Sequence, residues 1–118
     1  MRKQLRENGM LRKKKDREAV KEFCELARRS LGKTIKAIKL FGSKANDMDT
    51  PGSDIDLFIV VSEKTPEVDE VILNIAFELD LKYYVYISVR VAAQSILKNP
   101  LWKNTPLLRN IQREGVLV

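Results

Sequence analysis

The residues best equipped for chemistry in this 118-residue chain lie in one run, from Gly42-Ser43-Lys44 through Thr50-Pro51-Gly52-Ser53 to Asp54-Ile55-Asp56. Side chains two apart on a strand share a face, so Asp54 and Asp56 can present both carboxylates to one place. Paired carboxylates suit Mg²⁺, a hard cation that takes oxygen ligands and keeps positions for water and substrate phosphates. Gly42 has no Cβ and lets a polyanion approach the backbone, while Ser43 offers a hydroxyl and an N–H at the start of a turn. Pro51 and Gly52 fill the central places of a type II turn, which would return the aspartates to the side of the Gly-Ser pair. The pattern thus sets a phosphate cradle beside a metal clamp. An Asp-x-Asp entering a strand also serves as a turn cap or a solvated edge. The joint spacing favours the chemical reading.

Composition removes most other chemistries. The chain has no histidine and one cysteine, Cys24. A Ser/His/Asp or Cys/His triad, a His-ligated zinc and an imidazole acid or base are therefore excluded, as are an intrachain disulfide and a Cys-rich metal site. Catalysis must rest on carboxylates, metals, lysine or hydroxyls. No apolar run approaches the roughly 20 residues of a membrane helix, and none follows the basic start as a signal peptide would require. These features predict a cytoplasmic protein with no membrane partner. Twenty-two Lys and Arg stand against 16 Asp and Glu, a formal charge of +6. Residues 1–17 hold eight bases and two acids, while residues 18–118 hold 14 of each sign. Such a basic arm can bind nucleic acid or form a solvated helix start; no aromatics interleave its charges to stack on bases, which favours the second reading.

The elements that must position the motif follow from periodicity. Val20, Phe23, Cys24, Ala27 and Leu31 recur at helical spacing from Asp16 onward, with Gly32 placed as a C-terminal cap. Thr34–Phe41 and Asp54–Val61 read as strands, and Pro66 opens a helix to about Asp80 whose buried stripe is Val68, Val71, Ile72, Ile75 and Leu79. Lys82–Val91 alternates and predicts a third strand, with Val85, Ile87, Val89 and Val91 inward and Tyr84, Tyr86, Ser88 and Arg90 outward. Ala92–Lys98 and Pro106–Arg113 look helical, and Glu114-Gly115 precedes a short apolar tail. The length fits one domain over residues 1–118, with residues 1–17 a basic arm or helix start. The order of elements predicts an α/β (α+β) fold in which a small mixed sheet is covered by helices on one face and carries a site on the other. Cys24 and Trp102 read as packing residues. Tyr84 and Tyr86 read either as packing under a loop or as a platform for a nucleobase.

Gly42-Ser43, ten residues, then Asp54-Ile55-Asp56 resembles the signature of the minimal nucleotidyltransferases of the DNA polymerase beta superfamily. The resemblance extends over nearly the whole chain, since Pro106–Gly115 is similar to the closing helix of such domains. It implies a polymerase beta-like fold, a triphosphate held by Gly42 and Ser43, and two Mg²⁺ ions held by Asp54 and Asp56, the catalytic residues. It further implies transfer of a nucleoside monophosphate from an NTP, by expectation ATP, to an acceptor hydroxyl. Two departures stand out. The loop has Ala45-Asn46-Asp47 where members commonly carry Ala-Arg-Gly, leaving Lys44 to supply part of the missing charge. The strand after the second helix lacks the third carboxylate of the superfamily, with Asp80 and Glu78 as nearby acids on the helix before it. An alternative is therefore a nucleotidyltransferase-like binding module with impaired chemistry, for example the antitoxin partner of a small toxin protein. A protein partner of that kind or a homodimer would supply the acceptor surface that a chain of this size lacks.

Overall fold

The computed structural model describes residues 14–41 and 54–118. Gly42, Ser43, Lys44 and the Thr50–Ser53 turn lie outside the described residues, as does the basic arm up to residue 13. Helix α1 spans Lys14–Leu31 and buries Ala19, Val20, Phe23, Cys24 and Ala27 along one stripe. Gly32 ends it at φ +52°, a left-handed conformation that glycine adopts without the Cβ penalty of other residues. A single 3₁₀ turn then leads into strand β1, Ile35–Phe41.

Strand β2, Ile55–Val61, runs antiparallel to β1, pairing Ile38 with Ile59 and Phe41 with Asp56. Helix α2, Pro66–Tyr83, is capped by Thr65, whose Oγ1 accepts from the Val68 N–H at 3.1 Å. It crosses back so that strand β3, Ile87–Ala93, lies parallel to β2. After a 3₁₀ turn at Gln94–Lys98 come the short helix α3, Pro100–Lys103, helix α4, Pro106–Glu114, and strand β4, Val116–Leu117. The apolar tail foreseen after Gly115 is thus a strand. It pairs with β1 and completes a four-stranded sheet in the order β3-β2-β1-β4.

The two faces of β2 are packed differently. Ile55, Leu57, Ile59 and Val61 join the larger core beneath α1 and α2, with Phe23, Ile72 and Leu79. Phe58 and Val60 look the other way and meet Ala92, Leu108 and Ile111, which seats α4 over that part of the opposite face. The α1/α2 cover agrees with the layered arrangement expected from sequence. The face expected to carry the site is shared: α4 takes the Phe58–Val60 half, and Asp56 stands at the other end of the strand.

Two boundaries differ from the periodicity. The expected strand from Lys82 begins only at Ile87, because α2 continues to Tyr83. Lys82 and Tyr83 are held in the helix by Glu22 of α1, which accepts from Lys82 Nζ at 2.8 Å and from the Tyr83 hydroxyl at 2.6 Å. Tyr84 then stops the helix at φ 54°. Residues Ala92 and Ala93, expected to start a helix, belong to β3, since they pair with Val60 and Val61 and the Ala92 side chain packs into the second core.

Candidate active site

Asp54 and Asp56 enter the fold at the head of β2. Asp56 is on the rung Phe41–Asp56–Ser88, which fixes its backbone from both sides. Its side chain is directed to the face of Phe58 and Val60 by strand alternation, and Asp54 shares that parity. Asp54 is exposed and Asp56 half-buried. Burial, and next the charge of Asp54, push the Asp56 carboxyl above its ordinary range, while the Arg90 guanidinium pulls it down. The two aspartates are therefore within electrostatic reach of each other, as the spacing requires, and Arg90 is a cation facing the same group. Alternation placed Arg90 on this face; its pairing with Asp56 follows from the rungs Asp56–Ser88 and Phe58–Arg90, which sequence periodicity does not register.

Strand β3 and the residue before it supply hydroxyls where the superfamily carries an acid. Tyr86, Ser88 and Arg90 fall on the site face, because Val85, Ile87, Val89 and Val91 pack against the larger core. The Ile55 N–H donates to the Tyr86 carbonyl at 2.9 Å, which sets the Tyr86 backbone beside Asp54. Tyr86 is 62 % exposed. Tyr84, the other tyrosine expected on this face, belongs instead to the α2 cap and is 87 % exposed.

Asp80, the helix acid closest to this end of the sheet, accepts the Ile87 N–H at 2.8 Å and thereby ties α2 to the first residue of β3. Burial raises its pKa, the Ile87 hydrogen bond partly offsets that, and Asp54 raises it further. Asp80 is thus near enough to feel Asp54 yet occupied in holding β3. Among the described residues no three His, Cys, Asp or Glu side chains come together as a metal-binding group.

This donor set fits a divalent cation in part. Two carboxylates crowded on one face, one of them desolvated, are relieved by a bound dication, and the remaining positions of an octahedral ion suit phosphate oxygens and water. A second ion would lack an anionic ligand from β3. Among the described residues no helix is long and apolar enough to cross a membrane.

With strand topology and site in place, comparison with known proteins gives the class. The nucleotidyltransferase domain family matches residues 16–118, and the chain belongs to that family. A protein of Methanocaldococcus jannaschii described as a protein adenylyltransferase is 33 % identical over 101 residues, covering 85 % of this chain and 94 % of the relative. Two solved structures share the fold. One, a toxin–antitoxin complex with AMP-PNP, matches with a TM-score of 0.58 at 16 % identity, over 81 % of this chain and 69 % of that one. The other, a tyrosine-to-alanine mutant of the toxin–antitoxin pair MntA–HpeT, matches with a TM-score of 0.57 at 18 % identity, over 84 % and 70 %. The chain is a minimal nucleotidyltransferase of the polymerase beta type, an enzyme family whose general chemistry is nucleotidyl transfer.

Proposed function

We propose that the protein transfers a nucleoside monophosphate from Mg²⁺-bound NTP, ATP in the first place, to a hydroxyl on a protein. The observation that carries this reading is the placement of Asp54 and Asp56 on one sheet face, with burial and the Asp54 charge both acting against the ionised form of Asp56. A site that holds unfavourable negative charge is prepared for a cation. Mg²⁺ bound there would neutralise the triphosphate and the charge building on the leaving pyrophosphate. Gly42, Ser43 and Lys44 are assigned the triphosphate by their motif, and Asp54 and Asp56 the metal. Arg90 offers a cation on the same face. Protein as the acceptor class rests on the likeness to the M. jannaschii protein adenylyltransferase, and a nucleotide site with a protein partner is in keeping with the two structural neighbours, toxin–antitoxin pairs of which one holds AMP-PNP. Reducing, NTP-rich cytoplasm is the setting that suits Cys24 and this substrate.

A second reading is favoured by one observation, the absence of any acid on β3. The ion nearest the acceptor would then be weakly held, and the domain would bind nucleotide while transferring slowly, as a binding module or antitoxin does. Thermal melting with Mg²⁺ and ATP, beside transfer of label from α-labelled ATP to candidate partner proteins, separates the two. A melting shift with transfer supports the enzyme; a shift alone supports the module; no shift overturns both. In the same titration Ser43→Ala is expected to weaken nucleotide by about 1–2 kcal/mol, the scale of a hydrogen bond to a charged group, and Gly42→Val to block it by occupying the space of the phosphates.

A further inference from the structure

We propose that Tyr86 is itself a nucleotidyl acceptor, so that the chain modifies its own phenol just before β3. The inference rests on the reading of Asp54 and Asp56 given above. Register sets the geometry. Ile55 pairs with Ile87 and Asp56 with Ser88, and the Ile55 N–H bonds the Tyr86 carbonyl, so continuing the register one residue before β2 and β3 sets Tyr86 beside Asp54. Adjacent strands lie about 4.8 Å apart. Val85 and Ile87 on either side pack into the larger core, which turns the Tyr86 ring to the face of the two aspartates. The ring is mostly exposed.

A phenol reaches beyond a carboxylate on a neighbouring strand by roughly the length of its ring. An aspartate at this place would have its oxygens level with those of Asp54. An extended Tyr86 side chain would carry its oxygen past them, toward the height at which a phosphate held by that pair would lie. Competing hydroxyls are less suited. The Tyr83 hydroxyl donates to Glu22 on α1, Tyr84 is part of the α2 cap, and Ser88, beside Asp56, is too short to pass the carboxylates.

The step balances without a further reactant. Tyr86 Oη attacks the α-phosphorus of bound NTP. The Oη–P bond forms, the bond from the α-phosphorus to the bridging oxygen breaks, pyrophosphate leaves with that electron pair, and the phenolic proton passes to solvent. The product is a tyrosyl nucleotide diester. It leaves a nucleotide lying over Asp54, so one chain takes one group and then stops.

The test uses the full chain incubated with Mg²⁺ and each of the four NTPs in turn, read by intact mass and peptide mapping, with melting shifts in parallel. Expected is an addition of one nucleotidyl group mapped to Tyr86. Tyr86→Phe should lose it while keeping the wild-type melting shift, and Asp56→Asn should lose both. Mixing Tyr86→Phe with Asp56→Asn should give no label, because each chain modifies itself. Label persisting in Tyr86→Phe, mapping to another residue, or appearing in the mixture overturns the proposal. So does a wild-type chain that shows the melting shift and no added mass, which leaves the nucleotide site standing. Absence of both the shift and the mass removes the nucleotide reading as well.

Discussion

Asp56 sits where a carboxylate is least comfortable, half-buried, next to Asp54 and raised in pKa by both circumstances. Removing its charge should therefore stabilise the metal-free domain while destroying its use. Asp56→Asn is expected to stabilise the domain without Mg²⁺ by about 1 kcal/mol once solvent screening of this partly exposed group is allowed for, raising Tm, and to abolish the Mg²⁺–ATP melting shift. Scanning calorimetry of both proteins, with and without ligand, checks the two halves together. Glu22 behaves in the opposite sense. Lys82 and Tyr83 donate to it and hold its carboxyl below the ordinary value of 4.5. A depressed folded pKa means that the carboxylate contributes stability above its unfolded value and loses that contribution as pH falls through the folded one. The Tm gap between wild type and Glu22→Gln should hold near neutrality, shrink once pH drops below 4.5, and close in acid. A gap that widens in acid would mean that Glu22 acts through something other than these two donors.

Helix α2 shows what the sequence could and could not tell about elements. Pro66 and the stripe Val68, Val71, Ile72, Ile75 and Leu79 mark its start and buried face, and the structure keeps both, with Val71 partly buried against the same core. Its end reads too early from sequence because alternating apolar residues from Lys82 onward look extended, whereas contacts of Lys82 and Tyr83 with Glu22, about sixty residues earlier, hold that stretch helical. Long-range ties of this kind leave no local trace. The same holds for β4, two apolar residues too short to read as a strand until β1 is seen to receive them. That Asp54 and Asp56 come within electrostatic reach of each other is legible from sequence, because sharing a face depends on spacing alone. Arg90's relation to Asp56 depends on register between strands and is not. Tyr84 pays for the sharp end of α2 with φ 54°. Left-handed backbone costs a non-glycine residue roughly 1–2 kcal/mol, and glycine returns part of that through unfolded-state freedom. Tyr84→Gly should thus raise stability by about 0.5–1 kcal/mol in urea unfolding. Gly115→Ala should lower it by about 1–3 kcal/mol, since a Cβ there runs into the Ile111 backbone carbonyl.

On the scale of the whole molecule, the sheet divides the interior into unequal parts. The core under α1 and α2 draws on all four strands, whereas α4 is seated on the other face by Leu108 and Ile111 against Phe58, Val60 and Ala92. Truncation of Leu108 to Ala should cost about 2–5 kcal/mol, measured by chemical denaturation. The unequal division also sets an order of opening. Regions with less buried apolar contact exchange their amides through local events well below the global unfolding free energy. Native-state hydrogen exchange should therefore find α4 amides released while those of β1 and β2 stay protected, with Leu108→Ala widening the difference. Because α4 rests on the next residues of the very strand that carries Asp56, each such event would briefly bare the sheet beside the aspartates to water, and the lifetime of a reactive complex there would be tied to how seldom a nine-residue helix lets go.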